Sequence, residues 1–296
     1  MFTQCKKLII LFKNVMLKNK INIKSNMSIN TNGQFKLYSW NVLHIVHELN
    51  YAFDCSFVLD LWLNNENERL NQLAKIIVKR ASYENAVVCL QECSGELLKM
   101  LYEMNTHNDY SIHKYKYGRN PHLKNYLATN PYPSNNCTEY LVTLVGKNIS
   151  VNNTSVVQFT NTGKASLMLN INIGEKHVLI ANIHCPFGSS RNIAFEQLLE
   201  EINMHNFVII GDLNSEMWEL KKIFCDDNLY NFSNIKRPTR IAKFIKKTKK
   251  GDEIILREST LDHMIGSKNI TFCKIVVEPN NSLSDHLLIG STVTLA

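Results

Sequence analysis

Short apolar runs alternate with amphipathic stretches along this chain from Lys36 onward. Two stretches place leucine and isoleucine on one helical face and predict helices over residues 66 to 80 and 191 to 204. The apolar or β-branched runs predict strands over residues 36 to 41, 86 to 91, 140 to 146, 166 to 173, 177 to 184, 206 to 211, 261 to 266, 271 to 277 and 286 to 293. Gly174 predicts a hairpin turn, because a tight turn there needs positive φ. The pattern indicates a layered α/β or α+β domain and disfavours a helix bundle or a pure β-sandwich.

Three segments depart from this pattern. Residues 1 to 34 are rich in lysine and asparagine and contain no acidic residue, which predicts a disordered basic extension outside the fold. Translation from Met27, with Met1 upstream of the true start, is the alternative explanation. Residues 118 to 138 carry prolines and many asparagines, and they predict a long surface loop. The lysine-rich run from Lys243 to Lys250 predicts either a solvated hairpin tip or a contact with a phosphate backbone.

Composition narrows the class of partner and the compartment. The chain has 296 residues, 45% of them apolar, and no linker divides it, so residues 35 to 296 are expected to form one domain. No long apolar segment appears, and no stable membrane association is expected. A formal charge of +7 favours an anionic partner. The eight cysteines are scattered, several within apolar runs, which predicts reduced thiols in an intracellular protein of the cytoplasm or nucleus.

Polar residues follow the predicted strands at six points along the chain. These sites are Asn41, Glu92, His184, Asp212 with Asn214, Asp262-His263 and Asp285-His286. Strand ends of α/β proteins are places where a rigid sheet can hold polar side chains in an open crevice. Carboxylates, amides and histidines in such a crevice indicate metal-dependent phosphoester chemistry.

The order of these sites resembles that of the endonuclease/exonuclease/phosphatase superfamily, which includes deoxyribonuclease I, deadenylases and sphingomyelinases. The matching motifs are Ser39-Trp40-Asn41-Val42-Leu43, Leu90-Gln91-Glu92, Asn182-Ile183-His184, Gly211-Asp212-Leu213-Asn214, Leu261-Asp262-His263 and Ser284-Asp285-His286. The resemblance covers residues 36 to 294 and implies a four-layer α/β/β/α sandwich of two mixed β-sheets packed face to face, the deoxyribonuclease I-like fold. It also implies a site for Mg²⁺ or Mn²⁺ where the loops of the two sheets converge.

The resemblance also implies roles for individual residues around the metal and the histidine. Glu92 would ligate the metal, and Asn41 would support that site through its amide oxygen. His286 would contact the scissile phosphate or activate the attacking water, while Asp262 accepts its other N–H. Asp285 would either approach the metal or hold the backbone of His286. These residues form the implied metal and histidine parts of the site.

Further residues would act on the water and the phosphate. Asp212 would orient or deprotonate the nucleophilic water, while Asn214 and His184 would donate hydrogen bonds to the non-bridging phosphate oxygens. The remaining histidines of the motif regions are predicted to be solvated or packed without a role; they are His44, His47 and His263.

The branch of the superfamily stays open. Cys93-Ser94 after Glu92 disfavours abasic-site endonuclease activity, and His263 after Asp262 disfavours an inositol phosphate substrate. The first motif, followed by an insertion with Tyr51, Trp62 and Glu68-Arg69, resembles deadenylases, whereas Arg237-Pro238-Thr239-Arg240 resembles endonuclease domains of retroelements.

Two groups of residues could bind the parts of a nucleic acid substrate that lie beyond the scissile phosphate. Arg240, Lys246 and Lys247 are predicted to contact substrate phosphates, although a structural arginine at position 240 is the alternative. An RNA end would instead be held by aromatic stacking, for which the candidates are Tyr115, Tyr117, Tyr126 and Tyr132.

The sequence therefore predicts a Mg²⁺- or Mn²⁺-dependent phosphodiesterase, in the first place a nuclease that hydrolyses DNA or RNA with activated water. A phosphatase or a phospholipid phosphodiesterase of sphingomyelinase type is a second hypothesis. A binding protein that keeps the fold without the chemistry is a third. Neither the choice of DNA or RNA nor that of internal or terminal cleavage follows from these residues.

Overall fold

The structure is a computed structural model in which residues 33–51, 65–119, 121, 138–202, 205–226, 228–249, 251–279 and 282–296 are described. The described residues from Gly33 onward belong to one compact unit. The predicted extension over residues 1 to 34 lies outside the described residues except for its last two, and most of the predicted loop over residues 118 to 138 lies outside them as well. The division into an extension and a catalytic domain stays a prediction.

The nine predicted strands and the two predicted helices are all present. The described strands are β1 (Gln34–Asn41), β2 (Val87–Ser94), β3 (Tyr110–Lys116), β4 (Glu139–Gly146), β5 (Ser150–Gln158), β6 (Ala165–Ile173), β7 (Lys176–His184), β8 (Phe207–Asp212), β9 (Tyr230–Phe232), β10 (Arg240–Thr248), β11 (Gly251–Ser259), β12 (Asp262–Ser267), β13 (Ile270–Glu278) and β14 (Leu288–Leu295). The described helices are α1 (Ile45–Tyr51), α2 (Glu66–Val78), which continues into a π-helical turn over Lys79–Tyr83, α3 (Gly95–Met104), α4 (Ser190–Glu201) and α5 (Met217–Ile223). The turn between β6 and β7 falls at Gly174, whose φ of +63° confirms the predicted hairpin.

Two six-stranded mixed sheets make up most of the fold. The first has the order β13-β14-β1-β2-β4-β3, and the second has the order β5-β6-β7-β8-β12-β9. Each sheet has one parallel pair at its centre, β1 with β2 and β7 with β8, while the other neighbours are antiparallel. Strands β10 and β11 form a separate antiparallel hairpin. The carboxyl ends of each parallel pair therefore lie side by side.

The two sheets pack face to face, and helices cover their outer faces. Side chains of one strand point alternately to the two faces of its sheet. Val87 and Cys89 of β2 pack in the core between the sheets, whereas Val88 and Leu90 pack in the core under α2 and α3. On the second sheet, Phe195 of α4 and other helical residues pack against the outward face of β7 and β8. This helix–sheet–sheet–helix order confirms the four-layer sandwich.

Five strands were not predicted, and they share weak apolar patterns. β5 forms an edge of its sheet, and most of its side chains are exposed, so its sequence of serine, asparagine and threonine carries no apolar alternation. The lysine-rich run lies on β10 and in the turn to β11, which confirms a hairpin there. The other unpredicted strands are β3 and β9. Strands with little apolar burial leave little signal in the sequence.

Two further findings concern membrane-spanning helices and thiols. Among the helices that the structure describes, none combines the length and the apolar character needed to cross a membrane. Cys89, Cys93 and Cys185 are free and buried, as the apolar runs around them indicate, whereas Cys225 and Cys273 are free and exposed.

Candidate active site

The polar strand ends of both sheets meet at one place in the fold. Asn41 ends β1 and pairs in register with Gln91, the neighbour of Glu92 on β2. On the second sheet His184 ends β7 and pairs in register with Asp212, which ends β8. β12 starts at Asp262, directly opposite Asp212. The parallel pairs thus bring side chains of distant parts of the chain to one crevice, as expected for open α/β sheets.

Gly211 allows β8 to approach β7 closely just before the catalytic candidate Asp212. Its φ is +144°, and a Cβ atom at this position would lie 2.0 Å from the carbonyl oxygen of Ile183. No other residue type fits without moving one of the strands, because that separation is far below a van der Waals contact. The close packing of β8 against β7 therefore explains the glycine of this motif.

Glu92 lies in a bulge of β2. The register between β2 and β4 shifts between Leu90 and Cys93, and Glu92 has a φ of +56°. A non-glycine residue in this region costs roughly 1–2 kcal/mol, and bulges of this kind redirect a side chain next to a functional site. The carboxylate accepts hydrogen bonds from Asn41 Nδ2 at 3.1 Å and from the backbone N–H of His44 at 3.2 Å. The strained backbone thus fixes the direction of Glu92.

Asn41 joins the carboxylates of the two sheets. Its Nδ2 donates both to Glu92 Oε1 and to Asp212 Oδ2, each at 3.1 Å, while its Oδ1 accepts from the N–H of Leu43 at 3.0 Å. The Leu43 contact fixes which end of the amide is oxygen. In this orientation the amide oxygen is turned away from the Glu92 carboxylate, and the amide nitrogen holds the two acids together. The expected support of a metal by the Asn41 oxygen stays a prediction.

His286 is bound to Asp262 and faces Asp212. Its Nδ1 lies 2.8 Å from Asp262 Oδ2, and its Nε2 lies 3.8 Å from Asp212 Oδ2. Burial opposes a charge on His286, but Asp262, Asp285 and Asp212 outweigh it and raise its pKa to about 10. Burial raises the pKa of Asp212 to about 6, with the positive charge of His286 acting against it and Asp262 adding to it. The histidine is therefore a cation at neutral pH, beside a carboxylate of raised basicity.

The loop that carries His286 is tied to β1. Ser284 Oγ donates to the carbonyl oxygen of Asn41 at 2.7 Å and accepts from the backbone N–H of His286 at 3.1 Å. Trp40 Nε1 donates to the carbonyl oxygen of His286 at 3.0 Å. These contacts explain why a serine precedes the Asp-His pair and why a tryptophan precedes Asn41. The two motifs, 246 residues apart, hold each other.

His184 is a neutral hydrogen-bond donor toward the centre of the site. Lys164 Nζ lies 3.0 Å from His184 Nδ1, and an ammonium group can only donate, so the ring proton is on Nε2. Nε2 lies 3.7 Å from Glu92 Oε1 and 3.8 Å from Asp212 Oδ2. Burial and the charge of Lys164 lower the pKa of His184 to about 3. Lys164 was not predicted, because no motif surrounds it.

Asn214 supports the loops that follow β7 and β8. Its Nδ2 donates to the carbonyl oxygen of Cys185 at 2.7 Å, and its backbone N–H donates to Asp212 Oδ1 at 3.0 Å. Its φ is +48°, in the left-handed region that asparagine tolerates better than most residues. Asn214 therefore orients Asp212, in addition to any contact of its second amide hydrogen with a phosphate oxygen.

A second histidine–carboxylate cluster lies on the other side of Asn41. His47 Nε2 is 3.1 Å from Glu139 Oε2 and 4.0 Å from Glu92 Oε2. Burial opposes a charge on His47, but Glu92 and Glu139 raise its pKa. Burial alone would raise the pKa of both carboxyl groups, yet the nearby cations, His47 and Lys164 among them, lower it. We refer to His47, Glu92 and Glu139 as the His47 cluster.

The sequence prediction missed this cluster. His47 was expected to be solvated or packed without a role, and the structure places it beside the predicted metal ligand Glu92. Glu139 has no motif around it, and only the register of β4, which pairs it with Ser94, brings it near β2. His44 and His263 are fully buried, as predicted for packed histidines.

Donor atoms that can hold a cation occur in two groups of the described residues: the His47 cluster, and Asp212 with Asp262 and His286. In each group the donor atoms lie within 4.8 Å of one another. In the second group Asp262 Oδ2 and His286 Nδ1 are already joined to each other by a hydrogen bond. Glu92 and its neighbours are therefore the better donors for a divalent cation, as expected for a hard ion that binds carboxylates.

Buried polar residues brace the floor of the site. Gln91 Nε2 donates to Asn182 Oδ1 at 2.7 Å, across the interface of the two sheets, and Asn182 Nδ2 donates to the carbonyl oxygen of Val142 at 2.9 Å. Both side chains are fully buried. A satisfied buried network of this kind fixes one relative position of the sheets. The glutamine and asparagine of the motifs Leu90-Gln91-Glu92 and Asn182-Ile183-His184 thus have structural roles.

The predicted phosphate-binding residues lie on the β10–β11 hairpin. Arg240 begins β10, where its Nε donates to Asp285 Oδ2 at 2.8 Å, so it is not on a loop and Asp285 is engaged with it. Lys246 is exposed. Lys246 and Lys247 pair in backbone register with Glu253 and Asp252 of β11. The hairpin therefore carries mixed charge, because acidic residues of β11 face the lysine-rich strand.

The predicted aromatic candidates divide into two groups. Tyr117 is buried, with its ring 6.1 Å from that of His184 and Lys164 Nζ 5.2 Å above it, so it packs beneath the site. Tyr115 is half-buried and packs against the core between the sheets. Tyr126 and Tyr132 lie outside the described residues. Stacking of a base on Tyr117 is excluded by its burial.

Comparison with solved structures finds the same fold. The catalytic domain of human Nocturnin with a bound sulfate anion is similar with a TM-score of 0.62 and 15% identity, over 90% of this chain and 96% of that one. ANGEL2, a 2′,3′-cyclic phosphatase in complex with adenosine-2′,3′-vanadate, is similar with a TM-score of 0.61 and 12% identity, over 88% and 96%. D. rerio TDP2 complexed with a single-strand DNA product gives a TM-score of 0.58 and 14% identity, over 88% and 99%. At these identities the likeness concerns the fold.

Sequence comparison gives the family. No protein among the curated sequences matches the chain. The sequence model of the Endonuclease/Exonuclease/phosphatase family matches residues 38–286, which begin in β1 and end at His286 and so include all six motifs. With most of the chain matched and the fold confirmed, the protein belongs to the Endonuclease/Exonuclease/phosphatase family.

Proposed function

We propose that this protein is a divalent-metal-dependent phosphodiesterase that hydrolyses DNA or RNA. The observation that carries the proposal is the convergence of three groups on Asp212 Oδ2. Asn41 Nδ2 lies 3.1 Å from it, and His184 Nε2 and His286 Nε2 each lie 3.8 Å from it. A carboxylate surrounded by three N–H donors suits an attacking water and a phosphate group between them.

Asp212 is the proposed general base. Its pKa of about 6 leaves it ionised at neutral pH and more basic than an ordinary aspartate. General bases act best when their pKa lies near the working pH. The hydrogen bonds from Asn41 Nδ2 and the Asn214 backbone hold both oxygens of Asp212, so the carboxylate presents a fixed direction to water.

His286 and His184 are the proposed donors to the phosphate. His286 gives one N–H to Asp262, which leaves its Nε2–H for a phosphate oxygen, and its pKa of about 10 keeps it cationic. His184 offers Nε2–H as a neutral donor. A cation and a neutral donor on fixed strands stabilise the charge that develops in the transition state. Glu92 would hold the divalent cation, which supplies further charge neutralisation at the phosphate.

Nucleic acid is the favoured substrate class for two reasons. The chain carries a formal charge of +7, and two exposed aromatic residues lie close to the site in sequence: Phe187, three residues after His184, and Trp218, four residues after Asn214. Phe187 lies on the loop after β7 and Trp218 lies in the first turn of α5, and the segments that lead to them are joined by the hydrogen bond from Asn214 to Cys185. Exposed aromatic rings beside a phosphate site suit the stacking of unpaired bases. Among the similar structures, one contains a single-strand DNA product and another an adenosine-2′,3′-vanadate.

A substrate panel tests this proposal. Purified protein is incubated with RNA, single-stranded DNA, duplex DNA, dinucleotides and sphingomyelin vesicles in Mg²⁺, in Mn²⁺ and in EDTA. We expect cleavage of at least one nucleic acid with either metal, no cleavage in EDTA, and a shortening ladder or internal cuts on a gel that identify the mode of action. His286→Ala is expected to abolish cleavage, and His107→Ala, at an exposed histidine, is the matched control.

Three outcomes would contradict the proposal. Cleavage that persists in EDTA would exclude the metal-dependent mechanism. Release of phosphocholine from vesicles, with every nucleic acid intact, would favour the sphingomyelinase-type hypothesis. Binding of oligonucleotides without cleavage in either metal would favour a binding protein of the same fold.

A further inference from the structure

We infer that His47 and Glu139 belong to the cation site of Glu92 and make it a histidine–carboxylate site that binds Mn²⁺ more tightly than Mg²⁺. The inference deepens the proposed function and rests on it in one respect, since Glu92 is the ligand that both require. It concerns residues that no motif of the family marks in this chain. It predicts which divalent cation the protein selects.

The distances within the His47 cluster fit a shared ion. Ligands bound at about 2.1–2.2 Å from one ion lie no more than about 4.4 Å apart. His47 Nε2 is 3.1 Å from Glu139 Oε2 and 4.0 Å from Glu92 Oε2, and all three donor atoms lie within 4.8 Å of one another. Small movements of side chains would place the three donors around one ion.

An unsatisfied buried oxygen gives independent support. Glu139 is 3% exposed, and its Oε1 has no hydrogen-bond partner in the part of the chain that the structure describes. Lys164 Nζ lies 3.7 Å away, which is beyond a hydrogen bond. A buried charged oxygen without a hydrogen bond is costly, and a metal ion bound directly to the Glu139 carboxylate would supply a contact that Lys164 does not make. The side chain of His47 is 26% exposed, so the cluster is open to solvent on one side.

All three donors rest on fixed backbone. Glu139 begins β4 and pairs with Ser94 of β2, two residues beyond Glu92. His47 lies on α1, and its N–H donates to the carbonyl oxygen of His44, whose own N–H donates to Glu92 Oε2. Donors on such elements keep their geometry better than donors on loops. The amide oxygen of Asn41, the other expected ligand, accepts a hydrogen bond from the backbone N–H of Leu43.

The donor set determines the preferred cation. Mg²⁺ favours oxygen ligands and keeps several waters. Mn²⁺ also favours oxygen ligands, but as a first-row transition metal it accepts an imidazole nitrogen more readily than Mg²⁺ does. Lys164, 3.7 Å from Glu139 Oε1, offsets part of the negative charge of the two glutamates. We therefore expect the protein to bind divalent cations with moderate affinity and to prefer Mn²⁺ clearly over Mg²⁺. The Lys164→Met variant is expected to bind Mn²⁺ more tightly than wild type. The competing interpretation is a His47 cation held between the two carboxylates without any metal.

Pulsed electron paramagnetic resonance of the Mn²⁺-loaded full-length protein separates the two interpretations. Wild type is expected to show the ¹⁴N coupling of a directly bound imidazole. His47→Gln is expected to lose this coupling. In calorimetry the same variant is expected to bind Mn²⁺ at least roughly tenfold more weakly, with a smaller loss of affinity for Mg²⁺. The reason is that removal of a residue bound to the metal should cost no less than removal of a residue that only hydrogen-bonds to a ligand. Glu139→Gln is expected to weaken Mn²⁺ binding while the nitrogen coupling remains. Circular dichroism of the metal-free variants checks that each is folded.

His184→Gln and His107→Gln serve as matched histidine controls and are expected to keep the ¹⁴N coupling. The inference is overturned if wild type lacks the coupling, if His47→Gln retains it, or if only His184→Gln loses it. Unchanged Mn²⁺ affinity in His47→Gln and Glu139→Gln, with cleavage intact, would overturn it while leaving the proposed function standing. Absence of any Mn²⁺ or Mg²⁺ binding to wild type would overturn both.

Discussion

The two histidine–carboxylate clusters on either side of Asn41 each contain one imidazole and two carboxylates, and they differ in how the histidine is held. His286 has a 2.8 Å hydrogen bond to Asp262, and its side chain is 5% exposed. His47 lies between Glu92 and Glu139 with a side chain that is 26% exposed. One histidine therefore has a fixed proton and a fixed direction, while the other has a side that is open to solvent.

This difference in how the two histidines are held suits one cluster to act on a phosphate and the other to bind a metal ion. A histidine that is buried against a carboxylate keeps its positive charge and can act on a phosphate. A histidine that shares solvent access with two carboxylates can exchange its proton for a metal ion. Asn41 separates the two by donating to one acid on each side, Glu92 and Asp212. Changes to the two clusters should therefore have different signatures.

The largest expected effect comes from Asp212→Asn. The variant keeps the shape of the side chain and removes the proposed base, so kcat is expected to fall roughly 10²–10⁴-fold with little change in the binding of Mn²⁺. Initial rates on the best substrate of the panel measure the loss, and Asp226→Asn, at an exposed aspartate, is the control. A kcat within a few-fold of wild type would contradict the role of Asp212.

The second largest expected effect is the pH dependence of the cleavage rate, which distinguishes the two clusters. Asp212 acts as a base only when ionised, so activity is expected to fall about tenfold per pH unit below about 6. His286 donates only while protonated, so activity is expected to fall again above about 10. The rate profile should be flat between these limbs and keep both in Glu139→Gln. Asp262→Asn removes a carboxylate that raises the pKa of His286 and should move the alkaline limb to lower pH.

Rescue by metal gives an intermediate effect. His47→Gln is expected to lower activity roughly tenfold at limiting Mn²⁺, because the variant binds the ion less tightly. Saturating Mn²⁺ should restore most of the wild-type rate. His286→Gln should be rescued at no metal concentration, since its histidine acts on the phosphate. Equal rescue of both variants would remove the functional distinction between the clusters.

The smallest expected effect lies on the hairpin. Lys246→Ala removes one exposed positive charge, so KM for nucleic acid should rise a few-fold while kcat stays unchanged. The slope of log affinity against log salt concentration should become smaller by about one. Glu253→Gln, opposite Lys246 in the β10–β11 register, should act in the reverse direction. Binding that responds to neither change would exclude the hairpin from the substrate path.

The sequence was informative where strands are buried. β2, β7 and β8 are short apolar runs that end in polar residues, and both their positions and the convergence of their ends followed from that pattern. β5, β10 and β11 were missed because their side chains are largely exposed or charged and carry no periodic apolar signal. The prediction of Arg240 and Asp285 as separate contacts also failed to anticipate their ion pair, which joins positions 45 residues apart.

By itself the sequence determined the family, the four layers and the residues whose chemistry follows from their position at a strand end. Those features depend on local periodicity and on the order of motifs along the chain. Only the tertiary structure decided which way the Asn41 amide points, that Lys164 fixes the tautomer of His184, and that His47 and Glu139 meet Glu92. The reason is physical: these properties arise from distances between residues on different strands and helices, and those distances exist only once the two sheets have packed.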